Sequence, residues 1–229
     1  MTVDLTSITL DNGASVALPY VAPKKVLILG DSITEGYLSV GPNASFSADT
    51  DSSDSTLSYA EQLGTLLGAE VGVVGFGGQG YGNGGQGSVP VFGSTYNFIY
   101  SVASRSFSGI DLVVINMGTN DGSSNTTAAI TTVLNGLASA GCGGTIILLE
   151  PFSSTVGPQQ RPFILAGIAA ATTPGQSVEL DTTGFFNSTI SSDVTHPYGS
   201  ASIGTIAPRL AAVIFPYLYK TNSGWYKFP

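Results

Sequence analysis

Histidine and cysteine each occur once in this 229-residue chain, and basic residues number only seven. A lone cysteine, Cys142, has no intrachain partner, so no disulfide framework holds the fold. One histidine and one cysteine also exclude the usual nitrogen and sulfur zinc sets within a single chain. Seven Lys and Arg stand against fifteen Asp and Glu, a net charge of −8. That balance argues against nucleic acid or an anionic membrane as partner, since both want basic patches. No apolar run reads as long enough to cross a bilayer. The N-terminus carries no basic segment followed by an apolar one, so no signal peptide is visible. Abundant Ser, Thr and Gly and few charges point instead to a secreted, extracellular chain, with a monomer as the default state. The scarcity of histidine has a chemical corollary: any imidazole base must be His196.

What is present is a rhythm. Residues 1–22 read as an N-terminal β-hairpin or arm, with a turn signal at Asp11-Asn12-Gly13. Residues 23–229 then form one domain. Short, wholly apolar runs recur at Lys25–Leu29, Glu70–Val74, Asp111–Met117, Thr145–Leu149 and Ser177–Leu180. Such runs are strands buried on both faces, as in a parallel sheet. Helical stretches fall near 57–68, 124–140, 160–171 and 199–218. The alternation predicts an α/β fold, a three-layer α/β/α sandwich around a five-stranded parallel sheet, and the expected strand order is the flavodoxin-like 2-1-3-4-5, one of the common doubly wound orders. Residues 41–56 and 75–95 read as long loops.

Four segments that follow strands carry candidate chemistry. Gly30-Asp31-Ser32-Ile33-Thr34-Glu35 follows the first strand. Ser32-x-x-Glu35 is a capping box, which needs no catalytic role. The other reading puts Ser32 Oγ at the carboxyl rim of the sheet, with N–H groups nearby to bind an oxyanion. Gly75-Phe76-Gly77-Gly78-Gln79-Gly80-Tyr81-Gly82 follows the second strand. It is a flexible turn or a source of backbone donors. Gly118-Thr119-Asn120-Asp121 follows the third strand. It is a cap for the next helix, or it offers the Asn120 amide to an oxyanion. Asp193-Val194-Thr195-His196-Pro197 precedes the last helix. Asp193 is placed either for an Asx turn or to orient the imidazole. All four map to the carboxyl edge, where ligands bind in doubly wound sheets.

In order and spacing these four segments resemble the blocks of the SGNH hydrolases, also called GDSL-type esterases. The resemblance spans residues 25 to about 218. It implies Ser32 as nucleophile, His196 as base and Asp193 as its orienter. It implies an oxyanion hole from the Ser32 N–H, a second-block glycine N–H and the Asn120 amide. Family members often open the second block with Asn and continue with Ser-Gly, where this chain has Gly75 and Gln79-Gly80. Gly80 is therefore the expected donor, with Gly77 and Gly78 as alternatives. Asp31, Tyr81 and Thr119 are candidate substrate contacts. The Gly-Phe-Gly-Gly-Gln-Gly-aromatic stretch looks like the carbohydrate-deacetylating branch, in which a β-sandwich precedes the hydrolase domain. Residues 1–22 would then be the tail of such a module.

The resemblance implies no metal and no organic cofactor. It implies an acylated carbohydrate, such as acetylated xylan, or another small ester as substrate. Lipase or short-chain esterase activity, acyl transfer, and non-catalytic carbohydrate binding are the competing functions. A flavodoxin-like nucleotide binder is remote, since no phosphate loop follows the first strand. Cys142 reads as a packed thiol at the far end of the sheet. Asp49, Asp51 and Asp54 lack the glycine and glutamate of a calcium loop. Trp225, Tyr226 and Phe228 read as aromatics that stack on sugar or pack the terminus on the core, with packing as the default.

Overall fold

The computed structural model describes residues 21–40, 49–100, 103–187, 191 and 193–219. The expected arm, apart from Val21 and Ala22, lies outside the described residues, as do Trp225, Tyr226 and Phe228.

In chain order the strands are β1 (Lys25–Gly30), β2 (Glu70–Gly75), a short antiparallel pair β3 (Phe98–Tyr100) and β4 (Ala103–Ser104), then β5 (Leu112–Asn116), β6 (Thr145–Leu149) and β7 (Ser177–Leu180). The five others form one parallel sheet in the order β2-β1-β5-β6-β7. Counted within that sheet, this is the expected 2-1-3-4-5 order. The helices are α1 (Ser32–Glu35), α2 (Asp49–Ser52), α3 (Tyr59–Leu67), α4 (Thr127–Ser139), α5 (Val156–Ala170), α6 (Gly199–Ala201) and α7 (Ala207–Leu218). A π-helical turn, Ser202–Ile206, joins the last two.

The apolar runs have a simple physical reason. Successive side chains of a strand point to opposite faces, and in β1, β5 and β6 both faces are covered, whereas the edge strands β2 and β7 are only partly buried. Val26 and Ile28 of β1, Leu112 and Val114 of β5, and Ile147 and Leu149 of β6 enter one core with Leu63 of α3 and Leu210 and Ile214 of α7. Leu27, Leu29, Val113, Ile115, Ile146 and Leu148 enter the other, against Ile130 and Leu134 of α4 and Ile164 of α5. The two helical layers are thus α3 with α7 and α4 with α5.

Helix boundaries differ from expectation where side chains compete for backbone groups. Ser58 caps α3 by accepting the Ala60 N–H, and Gly68, at φ 59°, closes it. Helix α4 begins at Thr127 rather than near 124, because the Gly122 and Ser124 carbonyls are taken by the buried Gln160 amide. Helix α5 begins at Val156, earlier than expected. Pro158 sits in its first turn, where a missing N–H costs little.

The run Gly199–Leu218 has the length and apolarity to cross a bilayer, contrary to the reading of the sequence. Its Ala207, Leu210, Ile214 and Leu218 are buried in the core beside α3, so its apolar stripe has a partner within the fold.

The sheet register aligns Gly30 with Gly75 and with Asn116. The loops that carry Ser32, the glycine run and Asn120 therefore leave from one edge, side by side. Cys142 lies before β6, at the opposite edge, buried and unpaired with any disulfide partner.

Ile115 is fully buried in the central strand. Ile115→Ala should cost about 2–5 kcal/mol of unfolding free energy. Val213→Ala, on the outer face of α7 at 39% exposure, should stay within about 0.5 kcal/mol. Denaturant titration of both variants checks the assignment, and equal losses would contradict it.

Candidate active site

Ser32 is the first residue of α1, immediately beyond β1. The cap of that helix is Asp31, not Ser32: Asp31 has extended backbone angles, and its Oδ1 accepts the Ile33 N–H at 3.0 Å. The capping-box reading of Ser32 is thereby corrected. The hydroxyl of Ser32 instead lies 2.8 Å from His196 Nε2.

Asp193 engages His196 twice. Its Oδ2 is 2.7 Å from Nδ1 of the ring. Its Oδ1 accepts the backbone N–H of His196 at 2.8 Å and that of Thr195 at 3.1 Å. The Asx turn and the orienting contact, alternatives in the sequence, coexist in one carboxylate. The carboxylate at Nδ1 keeps the ring proton there and leaves Nε2 as acceptor towards Ser32. Burial pulls the Asp193 carboxyl up, but the His196 and Thr195 hydrogen bonds prevail and hold it below the usual carboxylate range. An isolated bridge between Ser191 and Pro197 closes this loop at its base. Val194 sits at φ 65°, a region that a β-branched residue rarely adopts. Its side chain is 70% exposed, so no packing of that side chain explains the strain; the turn between Asp193 and His196 imposes it. Tyr37 sets the edge of its ring against the imidazole, centroids 4.8 Å apart. The Gly199 N–H binds the Ser39 carbonyl at 2.8 Å, tying the histidine segment to the serine segment.

Asn120 does not cap α4, whose first N–H binds Asn125 Oδ1. It stands in a 3₁₀ turn, Thr119–Asp121. Its Nδ2 donates to the Gln79 carbonyl at 2.8 Å and makes a long 3.5 Å contact with Asp31 Oδ2. Next to it, Asp121 fastens the glycine run: its two oxygens accept the Tyr81 N–H at 2.8 Å and the Gly82 N–H at 2.7 Å. A Cβ at Gly80 would lie 2.5 Å from Asp121 Oδ2, so only glycine allows this approach.

Gly80, the expected donor, is engaged within its own loop in this structure. Its one N–H already binds the Asn83 carbonyl at 2.9 Å within the loop. Gly77 and Gly78 have no such internal bond among the described residues. The three candidate substrate contacts are largely enclosed in this structure. Asp31 is wholly buried and caps α1, Tyr81 is 2% exposed and packs in the second core, and the Thr119 hydroxyl is enclosed. Asp121 is legible only as the last residue of the Gly118–Asp121 segment, with no hint of its grip on the glycine run, and Tyr37 and Gln160 carry no signal of their own, except that Gln160 falls four residues before the buried Ile164 on the inner face of α5.

The GDSL-like lipase/acylhydrolase family matches residues 28–179, which include Ser32 and Asn120 and stop short of Asp193 and His196. No curated protein matches the chain. Among solved structures, a family 2 carbohydrate esterase with its carbohydrate-binding domain, from Corynascus thermopiles (Myceliophthora fergusii), superposes with a TM-score of 0.70 at 22% identity, over 89% of this chain and 69% of that one. A family 2 carbohydrate esterase from Clostridium thermocellum, in complex with cellohexaose, gives 0.70 at 23% identity, over 87% and 66%. An acetyl xylan esterase from the rumen bacterium Butyrivibrio proteoclasticus gives 0.72 at 18% identity, over 89% and 66%. The chain thus spans about two thirds of the length of these proteins.

Burial pushes the Asp31 carboxyl up to about 7, against the pull of the Ile33 N–H and the Thr119 hydroxyl, and the Asp121 charge adds to the rise. Between about pH 4 and pH 7 the folded protein keeps a proton that the unfolded chain has lost. Stability due to this group therefore falls as pH rises through that window and levels off above it. Asp31→Asn keeps a capping acceptor but has no charge to bury. It should stabilise the protein by up to about 4 kcal/mol at pH 8 and little at pH 4. Denaturant titration at the two pH values checks this, and a pH-independent difference would contradict it.

Proposed function

Since the chain belongs to the GDSL-like lipase/acylhydrolase family, we propose that it is a secreted serine esterase that removes small acyl groups, acetyl foremost, from polysaccharide such as acetylated xylan. One observation carries the reading: the unbroken line Asp193–His196–Ser32, with contacts of 2.7 and 2.8 Å.

Ser32 Oγ attacks the ester carbonyl carbon while its proton passes to His196 Nε2. The bond from that carbon to the sugar oxygen then breaks. His196 returns the proton to the departing alkoxide, and Ser32 is left acylated. Water attacks the acyl-enzyme, giving a proton to His196. The carboxylic acid leaves as Ser32 Oγ recovers that proton. Asp193 stays ionised, orients the ring and stabilises the imidazolium. The negative charge on the carbonyl oxygen is met by the Ser32 N–H, the Asn120 amide and an N–H of Gly77 or Gly78, in place of Gly80. Such donors act most strongly on charge that develops in the transition state. The scheme uses no metal and no organic cofactor.

The carbohydrate part of the reading is supported by the company the fold keeps. One similar structure is an acetyl xylan esterase and another holds cellohexaose. The narrow point, acetyl rather than a longer acyl chain, is tested with a series of 4-nitrophenyl esters beside acetylated xylan oligosaccharides. Acetyl esters should be preferred, with free acetate as product; preference for long chains would point to a lipase, and acylated acceptor sugar to a transferase.

On an acetyl ester, Ser32→Ala and His196→Ala should each lower kcat by about 10⁴-fold or more. Asn120→Ala should raise the barrier by about 2.7–4 kcal/mol. The chain has no second imidazole to substitute. Substantial turnover by His196→Ala, or undiminished turnover by Ser32→Ala, would therefore end the reading.

A further inference from the structure

The loop that presents Asn120 leaves β5 at Gly118 and joins α4 at Thr127. It holds two glycines in positive-φ conformations, Gly118 at 120° and Gly122 at 56°. A segment with such joints needs an external support to fix a side chain at its apex. That support comes from α5. The amide of Gln160 is completely buried. Its Nε2 donates to the Gly122 carbonyl at 2.7 Å and to the Ser124 carbonyl at 3.0 Å, and its Oε1 accepts the Thr126 hydroxyl at 2.7 Å. Both amide hydrogens and one side of the oxygen are thereby used. At the other end of the loop, a Cβ placed on Gly118 would stand 3.5 Å from Gln160 Cγ and 3.2 Å from Pro151 Cγ. One side chain therefore lies beneath the entry to the loop and is bonded to its exit. Thr119, Asn120 and Asp121 lie between.

On the esterase reading above, we propose that Gln160 is a positioning residue of the reaction, setting where the Asn120 amide stands relative to the Ser32 oxyanion. It touches no substrate. It acts through Asn120, whose Nδ2 is held on its other side by the Gln79 carbonyl. A buried polar network of this kind has little slack: losing one member leaves buried groups unpaired, and the loop moves to find water. An oxyanion donor displaced by a fraction of an ångström loses its advantage in the transition state, while ground-state binding changes little. The consequence is a fall in kcat with KM nearly unchanged.

The test is a double-mutant cycle on acetyl-ester hydrolysis with the wild type, Gln160→Met, Asn120→Ala and the double variant, each checked for folding by thermal melting. Methionine keeps the stem under Gly118 and removes all three hydrogen bonds. Gln160→Met should lower kcat by about 10- to 100-fold and leave KM within about threefold. In the Asn120→Ala background the same change should lower kcat by less than about threefold, because its target is gone. A folded Gln160→Met enzyme with wild-type kcat, or an equal loss in both backgrounds, would overturn the proposal. If Gln160→Met does not fold, Thr126→Val, which deletes a single bond, is read by the same criteria of kcat loss and non-additivity. An active wild type that is crippled by Asn120→Ala but indifferent to these changes sinks this proposal alone; a wild type no more active than Ser32→Ala sinks the esterase reading beneath it.

Discussion

The 2.8 Å contact between Ser32 Oγ and His196 Nε2 joins residues 164 positions apart, and the rest of the structure exists to make it. Two loops on opposite ends of the sequence must arrive at one point with ångström accuracy. The parallel sheet supplies the accuracy. Its register aligns the ends of β2, β1 and β5, so three loops leave together from one edge. The rigid platform comes from two cores of aliphatic and aromatic side chains, packed on either face of the predominantly apolar strands β1, β5 and β6. From that edge, each loop is held by hydrogen bonds together with an apolar anchor in a core, Ile33, Tyr81 and Met117 among them.

Those bonds form a chain of buried polar groups that an apolar core would avoid. Asp31 caps α1 and faces Asn120. Asp121 grips the glycine run, and Gln160 grips the loop that carries Asn120 and Asp121. Burying such groups costs free energy unless every partner is met. Here Asp31 shows the residual cost as a carboxyl pushed up to about 7. Val194, held at φ 65°, is a second local cost, in the turn that aims the imidazole. Both lie beside the reacting groups, where strain and unfavourable burial are tolerated because they fix geometry. The general sense is that this fold exchanges some stability for the placement of four or five atoms.

The sequence makes the platform readable and the loops only partly so. Short apolar runs alternating with helical stretches announce the buried central strands of a parallel sheet. The alternation of strands with helices points to the doubly wound sandwich, and 2-1-3-4-5 is one of its common strand orders. Ser32 and Asn120 stand out because each follows closely on a strand end, and Asp193 and His196 because the chain has a single histidine with a carboxylate three residues before it. What stays hidden is decided by direction, not position. A glycine run does not say which N–H is spent within the loop, and Gly80 spends its own on Asn83. Asp31, Tyr81 and Thr119 neighbour the site on the chain yet are largely enclosed. Gln160 is invisible for a further reason: its partners lie 34 to 38 residues away, and a glutamine in a helix looks like any solvated residue. Tertiary hydrogen bonds also moved the start of α4, against its local pattern.

The central claim is that Ser32 is an activated nucleophile because His196 and Asp193 make it one. A serine-directed organophosphate tests this without any assumption about acyl group or sugar, since an ordinary serine does not react. Incubation with such a reagent, followed by peptide mass spectrometry, should show one covalent adduct, on Ser32, in the wild type. The adduct should be absent when the single histidine is replaced. An unlabelled Ser32 in the folded wild-type protein, or labelling that persists undiminished without His196, would contradict the account.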